Sequence, residues 1–298
     1  MDESSSEQPA GRRAALARAH QRRRLTAVGT ILAIIVIVLV ALNRSGPTGR
    51  PPAPEARAAV PAPRGEAARR LGAADAAVDR VLAYTPYVAR GSHRRKEVAL
   101  TFDDGPGPTT PALLRYLMAN GVPATFFLVG KAIGEHPETV RRESDAGFTL
   151  GTHTDSHARL ASKTPADQQQ EILTGADRIT RFTGHAVRFF RPPYGAFDAN
   201  TLSILRAERM LMVLWSVDTR DFSARSSDPI VFAALSGSRA GAVVLLHDGP
   251  GPRPQTLKAV RRIVTSLRRE GYRLVSLPKL LRDDPPRRDQ PQPHSLAG

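Results

Sequence analysis

The segment from Val98 to Val129, VALTFDDGPGPTTPALLRYLMANGVPATFFLV, decides how this chain folds. Two short apolar runs, Val98–Phe102 and Ala124–Val129, have the length and the β-branched and aromatic content of buried strands. Between them, residues 111–120 show helical spacing and end before Gly121. A strand, a helix and a second strand in this order predict a βαβ unit with parallel strands.

The same alternation continues toward the C-terminus. Further strands are predicted at 148–151, 187–190, 210–217, 242–246 and 274–277, and further helices at 137–146, 165–184, 201–209, 228–235 and 256–271. Repeated βα units predict an α/β fold, specifically an incomplete or distorted (β/α) barrel of about seven parallel strands.

The N-terminal region has the pattern of a membrane anchor. Residues 1–24 are polar and end in a basic run, and residues 25–42 are eighteen uncharged, mostly apolar residues, just long enough to cross a bilayer core. The basic flank predicts a cytoplasmic N-terminus, a single transmembrane helix in the cell membrane and an extracytoplasmic location for the domain that follows. A secreted form released by signal cleavage is the alternative, but the run lacks a clear small-x-small cleavage site.

Composition divides the rest of the chain. Residues 43–94 form a Pro- and Ala-rich linker followed by a lead-in helix within 72–90. Residues 95–283 hold the βα repeats, and residues 284–298 are predicted to be a disordered tail.

The absence of cysteine excludes disulfides and thiolate chemistry, so a metal site must use His and carboxylate ligands. The net charge of +15 suits an anionic membrane surface or an acidic polymer. We expect no nucleic-acid partner, because the domain lacks basic residues interleaved with aromatics.

Unusual polar residues follow the predicted strands. In parallel α/β folds the C-terminal strand ends share one face, which is where active sites lie, so residues far apart in sequence are expected to meet there. The residues concerned are Asp103, Asp104, His153, His157, Arg191, Asp218, Asp221, His247 and Asp248.

Two of these groups suggest metal chemistry. Adjacent carboxylates at Asp103 and Asp104 repel each other, so a metal or an arginine is expected nearby; a plain turn is the alternative. His153 and His157 have an i, i+4 spacing that suits one zinc ion, although such pairs also occur by chance. Together with an Asp from another strand end they would make a three-ligand site with an open position, the arrangement of catalytic zinc.

The loop at 103–117, DDGPGPTTPALLRYL, also has an echo at 247–261, HDGPGPRPQTLKAVR. The echo is explained either by matched loops at two strand ends or by convergent turn chemistry, and the sequence favours the latter.

Five motifs in order, TFDDGP, HTDSH, RPPYG, DTRDF and LLHDG, resemble those of the polysaccharide deacetylase family, the group with the NodB-homology domain also called carbohydrate esterase family 4. The resemblance covers about residues 95–280. It implies an incomplete (β/α) barrel and a divalent metal, usually Zn²⁺, with Co²⁺ or Mn²⁺ as alternatives.

The resemblance also implies roles for individual residues. Asp103 looks like the catalytic base and His247 like the general acid, with Arg191 orienting the base and Asp221 supporting the acid. The implied metal ligands are Asp104, His153 and His157. The backbone N–H of Tyr194 looks like the oxyanion donor, and Leu245 resembles the lining of the acetate-methyl pocket. Phe222 stands where the family commonly has a Trp that forms part of the groove wall. We expect this difference to affect substrate binding more than the reaction itself.

The function implied is metal-dependent hydrolytic deacetylation of an N-acetylated, or O-acetylated, polysaccharide such as cell-wall peptidoglycan or a chitin-like glycan. Two alternatives stay open. One is a membrane-anchored glycan-binding module without catalysis, which would have little need for both Asp103 and His247. The other is a metal-dependent amidase acting on an amide that is not part of a sugar.

Overall fold

The computed structural model describes residues 65–291 of the 298-residue chain. The predicted anchor at 25–42 and the basic segment before it lie outside the described residues. Within residues 65–291, none of the helices combines the length and the apolar character that a bilayer crossing needs.

Nine strands within residues 65–291 form one sheet, and every strand-to-strand pairing in it is parallel. The strands are β1 (Tyr87–Val88), β2 (Glu97–Asp103), β3 (Thr125–Leu128), β4 (Thr149–Thr152), β5 (Phe189–Phe190), β6 (Leu211–Val213), β7 (Val217–Asp218), β8 (Ala242–His247) and β9 (Arg273–Leu274). The order across the sheet is β1-β6-β5-β4-β3-β2-β8-β7, with β9 pairing at β2. The prediction of a curled parallel α/β half-barrel is confirmed, with eight strands in continuous order instead of about seven.

Helices occupy the connections between the strands. Their bounds are Glu66–Leu82, Thr110–Ala119, Gly130–Glu135, Pro137–Asp145, Pro165–Thr183, Ala199–Ala207, Ser227–Gly237, Pro254–Arg269 and Leu277–Asp283. The long helix from Pro165 shows why such boundaries are readable from sequence. Proline fits its first turn, the Thr164 hydroxyl accepts a hydrogen bond from the Asp167 N–H, and Gly184 ends it with a left-handed φ of 73°.

The strand predicted over 210–217 is divided in two. β6 pairs with β5 and β1, whereas β7 pairs with β8, so the two pieces lie at opposite regions of the strand order although only three residues separate them. The short link therefore brings the two ends of the sheet toward each other. A continuous apolar run could not reveal this change of partner, because pairing depends on distant segments.

Alternation along β2 separates two apolar cores. Val98, Leu100 and Phe102 belong to the core under the outer helices, whereas Ala99 belongs to the core enclosed by the curled sheet. Side chains of a strand alternate between its faces, so Asp103 lies on the same inner face as Ala99. The first catalytic candidate is therefore aimed into the concave side of the sheet.

The inner core is completed by two helices, Glu66–Leu82 and Leu277–Asp283. Val78 and Val81 from the first pack with Leu280 and Leu281 from the second, and all four side chains are buried. The helix predicted within 72–90 thus begins earlier and ends at Leu82, after which the chain forms β1. Of the strand predicted at 274–277, only Leu274 lies in a strand, β9, and the second helix already begins at Leu277.

Part of the tail predicted to be disordered is ordered against the lead-in segment. Tyr84 donates its hydroxyl hydrogen bond to the carbonyl of Pro286, and Gln290 donates to the Thr85 hydroxyl and the Tyr87 carbonyl. Buried Asp284 accepts from the Ser92 hydroxyl. The Tyr87 hydroxyl also donates to the carbonyl of Pro291, the last residue that the structure describes.

Candidate active site

The polar residues singled out after the strands meet at the C-terminal edge of the sheet. Asp103 ends β2 and is paired in register with His247 at the end of β8. His153 follows β4, and its backbone N–H bonds to the carbonyl of Leu128 at the end of β3. Neighbouring parallel strands therefore carry the candidate residues onto one face, as the alternation of strands and helices predicts.

Asp104, His153 and His157 form a compact ligand group. One potential ligand atom from each lies within 4.8 Å of the others. The Asp104 Oδ1 atom is 3.1 Å from His157 Nε2 and 3.5 Å from His153 Nε2. Two imidazoles and one carboxylate form the ligand type that divalent zinc accepts.

The surroundings of these ligands fit a cation. The Asp104 Oδ1 atom is buried and forms no hydrogen bond, so a bound ion would satisfy it. His153 Nδ1 contacts the carbonyl of Arg191 at 2.7 Å, which directs Nε2 into the site. Metal-bound histidines are commonly oriented by such a hydrogen bond from their other ring nitrogen. Burial lowers the pKa of His153 despite the neighbouring carboxylates, which favours the neutral, ligating imidazole.

Asp104 is the anionic member of the group. Burial raises the pKa of its carboxyl, but the interaction with His157 and the charges of His153 and His247 outweigh burial, so the pKa is lowered overall. Its backbone has a left-handed φ of 71°, a conformation that costs a non-glycine residue about 1 kcal/mol or more. His157 and Tyr194 are likewise left-handed, both with φ near 60°. Such backbone strain concentrates in loops that position functional groups.

Asp103 is held by a fully buried arginine. Arg191 NH1 donates to Asp103 Oδ1 at 2.7 Å and to the Thr101 hydroxyl at 2.8 Å. Its Nε and Nη2 atoms donate to the carbonyls of Val213 at 3.1 Å and Leu214 at 3.2 Å. Each of the three guanidinium nitrogens thus has a hydrogen-bond partner, and this buried group holds Asp103 in a fixed orientation.

His247 is supported by a carboxylate on the side away from the metal-ligand group. Asp221 accepts from the His247 backbone N–H at 2.9 Å and contacts Nδ1 at 2.7 Å. Burial lowers the pKa of His247, but the hydrogen bond and charge of Asp221, with smaller contributions from Asp103 and Asp104, raise it to about 9. The imidazolium is thus the stable form at neutral pH. Thr256 and Thr219 donate to the same carboxylate at 2.7 and 3.3 Å.

Two exposed aromatic side chains border the site. The Tyr194 ring meets His157 edge-to-face at 4.8 Å between centroids, and Phe222 meets His247 in the same way at 5.4 Å. Each of the two residues is 54% exposed, so both side chains are accessible to a ligand at the border of the site. Leu245 is buried one residue before the end of the β8 apolar run, and its carbonyl accepts from the Thr219 hydroxyl at 2.7 Å.

The repeated DGPGP segments lie side by side. The backbone N–H groups of Asp248 and Gly249 donate to the carbonyl of Asp103 at 3.1 and 3.4 Å. A Cβ on Gly249 would come within 2.3 Å of the Asp104 carbonyl oxygen, and one on Gly105 within 2.4 Å of an Asp248 oxygen. The two loops are therefore matched in space, and glycine is needed at their closest approach. Convergent turn chemistry, which the sequence favours, does not account for this register.

Asp248 was among the polar residues noted after strands, but the sequence gives it no role. It is fully buried, its side chain accepts a hydrogen bond from Thr110, and its Oδ1 atom forms no hydrogen bond. Burial and the charges of Asp104 and Asp103 raise its pKa to about 7, against the opposing bond from Thr110. The supporting threonines Thr101, Thr110, Thr219 and Thr256 were also missed. The one signal in the sequence that could have pointed to Asp248 is the similarity between segments 103–117 and 247–261, if it is interpreted as two loops of matched structure.

Known proteins resemble this arrangement. Residues 90–213 match the family described as Polysaccharide deacetylase. The chain is 37% identical over 196 residues to a peptidoglycan-N-acetylglucosamine deacetylase of Bacillus cereus, covering 65% of this chain and 71% of that protein. It is also 37% identical over 198 residues to a chitooligosaccharide deacetylase of Bradyrhizobium, covering 62% of this chain and 90% of that protein.

A solved structure shows the same fold. The crystal structure of the Bc1960 peptidoglycan N-acetylglucosamine deacetylase, in complex with 4-naphthalen-1-yl-N-oxidanyl-benzamide, superposes with a TM-score of 0.65 at 34% identity. The superposition covers 70% of this chain and 97% of that one. The similarity therefore extends over nearly the whole of the compared domain.

Proposed function

This chain belongs to the polysaccharide deacetylase family, and on that premise we propose that it removes N-acetyl groups from a cell-wall glycan, peptidoglycan or a chitin-like polymer. It is a hydrolase of carbon–nitrogen bonds outside peptides. One observation carries the proposal: an arginine-held carboxylate, Asp103, and a carboxylate-held imidazole, His247, flank one group of potential metal ligands. The alternative is hydrolysis of O-acetyl groups on the same polysaccharides.

Asp104, His153 and His157 would hold a divalent ion, with Zn²⁺ expected first and Co²⁺ or Mn²⁺ as alternatives. When bound, such an ion lowers the pKa of water toward roughly 7 and polarises an acetyl carbonyl. The chain's own residues must then supply the proton transfers and hold the substrate.

Asp103 acts as the general base in this proposal. Its Oδ1 atom is committed to Arg191, while Oδ2 faces the ligand group, 3.8 Å from His153 Nε2. The adjacent guanidinium holds the carboxylate in place, so its free oxygen is positioned to take a proton from an attacking water.

His247 acts as the general acid. With a pKa raised to about 9 it carries a proton at neutral pH, and Asp221 occupies Nδ1, which leaves Nε2 to donate to the departing amine. The backbone N–H of Tyr194 is the proposed oxyanion donor, because its left-handed conformation re-aims the peptide group. Leu245 is the proposed lining for the acetyl methyl group.

The test is acetate release by the full chain from N-acetylglucosamine oligomers and from peptidoglycan, with and without added Zn²⁺ or Co²⁺. Asp103→Asn and His157→Ala should lose at least about 100-fold in kcat/KM. Asp145→Asn and His93→Ala, at exposed positions away from the site, serve as matched controls and should retain activity.

The alternatives give different results in the same experiment. Metal binding without acetate release from any glycan would favour an amidase acting on an amide outside sugars. Glycan binding with neither metal nor acetate release would favour the binding module without catalysis.

We also propose that residues 25–42 anchor the enzyme in the cell membrane with the catalytic domain outside, where cell-wall glycan lies. The support is the uncharged run and the basic segment before it. A protease added to intact cells should remove the catalytic domain and leave a membrane-bound N-terminal fragment. Release of the active domain into the medium without protease would contradict the anchor.

A further inference from the structure

An arginine lies at the rim of the site without a role in the chemistry above. Arg159 follows His157 by two residues, and its guanidinium carbon is 4.8 Å from the centroid of the Tyr194 ring. That ring in turn contacts His157. Arg159 itself is exposed, so a chain of three side chains leads from the proposed metal ligand to solvent.

Arg159 is not neutralised within the described part of the chain. Among residues 65–291, no carboxylate forms an ion pair with it, whereas Arg178 pairs with Asp155. Stacking on an aromatic face holds a guanidinium in place while leaving its N–H edge open. The arrangement presents a positioned, uncompensated cation beside the site.

The opposite rim also carries an aromatic side chain and an arginine, although this guanidinium donates to backbone carbonyls and is not stacked on the ring. Phe222 contacts His247, and Arg253 donates to the Phe222 carbonyl at 3.1 Å and the Gly249 carbonyl at 2.9 Å. Tyr194 follows β5 and Phe222 follows β7, strands on opposite sides of β2 in the sheet order. An exposed aromatic ring and an arginine without a carboxylate partner within residues 65–291 therefore stand on each side of the centre.

This pairing matches a charged sugar polymer. The apolar face of a sugar ring packs on an aromatic side chain, and a guanidinium fork binds a carboxylate through two parallel hydrogen bonds. A neutral glycan has no group that gains as much from a fixed positive charge. Positive potential at the mouth of a site also raises the local concentration of an anionic substrate.

We propose that Arg159 binds a carboxylate on a sugar adjacent to the one that is deacetylated, so that the enzyme prefers an anionic N-acetylated glycan to a neutral one. The proposal rests on the proposed function and narrows its substrate class. Arg159 is then a specificity-determining residue, because it contacts the substrate away from the reacting bond.

The test compares two substrates, one with charged carboxylates and one in which the same groups are neutral. One is peptidoglycan glycan strands freed of peptide, which carry carboxylates on alternate sugars; the other is the same strands with those carboxylates converted to methyl amides. The full chain should show a roughly three- to tenfold higher kcat/KM on the charged strands, mostly through KM, and high salt should reduce this ratio.

Three variants isolate the contact. Arg159→Gln should bring the ratio of the two substrates close to one while changing activity on the amidated strands less than about twofold. Arg159→Lys should keep part of the preference, because it retains the charge but not the planar fork. Arg115→Gln, at an exposed position on the helix Thr110–Ala119, is the matched control for net charge and should leave the ratio unchanged.

Binding of both strands to the metal-free protein separates this proposal from the function on which it rests. If no strand releases acetate but the charged strands bind more tightly in an Arg159-dependent way, the deacetylase proposal fails and the carboxylate contact stands. If acetate is released and Arg159→Gln keeps the ratio, or loses activity equally on both substrates, the carboxylate contact is overturned.

Discussion

At the scale of single residues, the site separates two titratable groups by their surroundings. Asp103 is bonded to the buried guanidinium of Arg191, and His247 is bonded to Asp221. Each partner fixes the orientation of the side chain to which it is bonded, and Asp221 also raises the pKa of His247 against the lowering effect of burial. Both supporting residues are themselves fixed, Arg191 by carbonyl groups and Asp221 by threonine hydroxyls.

The pH dependence should report His247. Its pKa of about 9 lies above the ordinary value, so the acid stays protonated, and activity is retained, below pH 9 and falls as pH rises through it. Asp221→Asn removes the charge that raises this pKa, while burial still lowers it. The alkaline limb of kcat/KM against pH should then move down by about one unit or more. A limb that stays in place in this variant would assign it to another group.

Asp248 should make stability depend on pH. Its pKa of about 7 exceeds the ordinary 3.8, so the fold favours the protonated form, and this favourable contribution is complete below pH 4 and is lost as pH rises through 7. With chelator present, unfolding free energy from pH 5 to pH 8 should fall by roughly 2 to 3 kcal/mol more in the wild type than in Asp248→Asn. Urea titrations measure this, with exposed Asp145→Asn as control. Equal pH slopes in all three proteins would contradict the assignment.

At the scale of elements, two matched loops after β2 and β8 align the proposed base and the proposed acid. The register pairs Asp103 with His247, and backbone hydrogen bonds from Asp248 and Gly249 tie the second loop to the first. The alignment depends on glycine, since the backbones approach more closely than a side chain permits. The position of Asp104 is thereby coupled to a loop that begins more than a hundred residues later.

Gly249→Ala tests this coupling. A Cβ there would meet the Asp104 carbonyl oxygen at 2.3 Å, so the loop carrying Asp104 must shift. We expect about tenfold weaker Zn²⁺ affinity and a loss of about 1 to 3 kcal/mol in stability, measured by chelator competition and by denaturation. Gly72→Ala, where nothing lies within 4 Å of the new Cβ, should leave the affinity unchanged. Unchanged affinity in Gly249→Ala would mean that the loops act independently.

At the scale of the whole described domain, the concave side of the curled sheet is filled by two helices, one from the start of the domain's sequence and one from its end. The helices Glu66–Leu82 and Leu277–Asp283 pack together and against the inner faces of the strands. The outer helices cover the other face. Because the catalytic candidates project from the same concave side as this inner core, its packing supports the strand positions on which they stand.

Leu281→Ala probes that support. The side chain is 1% exposed in the inner core, so truncation should lower the unfolding free energy by about 2 to 5 kcal/mol. Met118→Ala, at a side chain that is 54% exposed, should cost less than about 0.5 kcal/mol. Denaturant titration of both variants measures the difference. A small effect at Leu281 would show that the C-terminal helix is not needed to close the inner core.

The sequence by itself determined the alternation of strands and helices, the parallel sheet and the set of polar residues at its C-terminal edge. Proline, glycine and apolar periodicity act within a few residues, so a helix such as Pro165–Thr183 could be located almost to the residue. Side chains like Asp103 and His247 were identifiable because reactive groups at strand ends are unusual in a packed fold.

Only the tertiary structure decided which of these elements meet. The division of 210–217 into β6 and β7, the placement of Leu277–Asp283 in the inner core and the buried pair of Asp248 and Thr110 all depend on partners far away in the chain. Local pattern cannot encode them, because strand pairing, burial and pKa are properties of the assembled surroundings. The motifs therefore identified the candidate site residues, whereas contacts between distant segments set the geometry of the site.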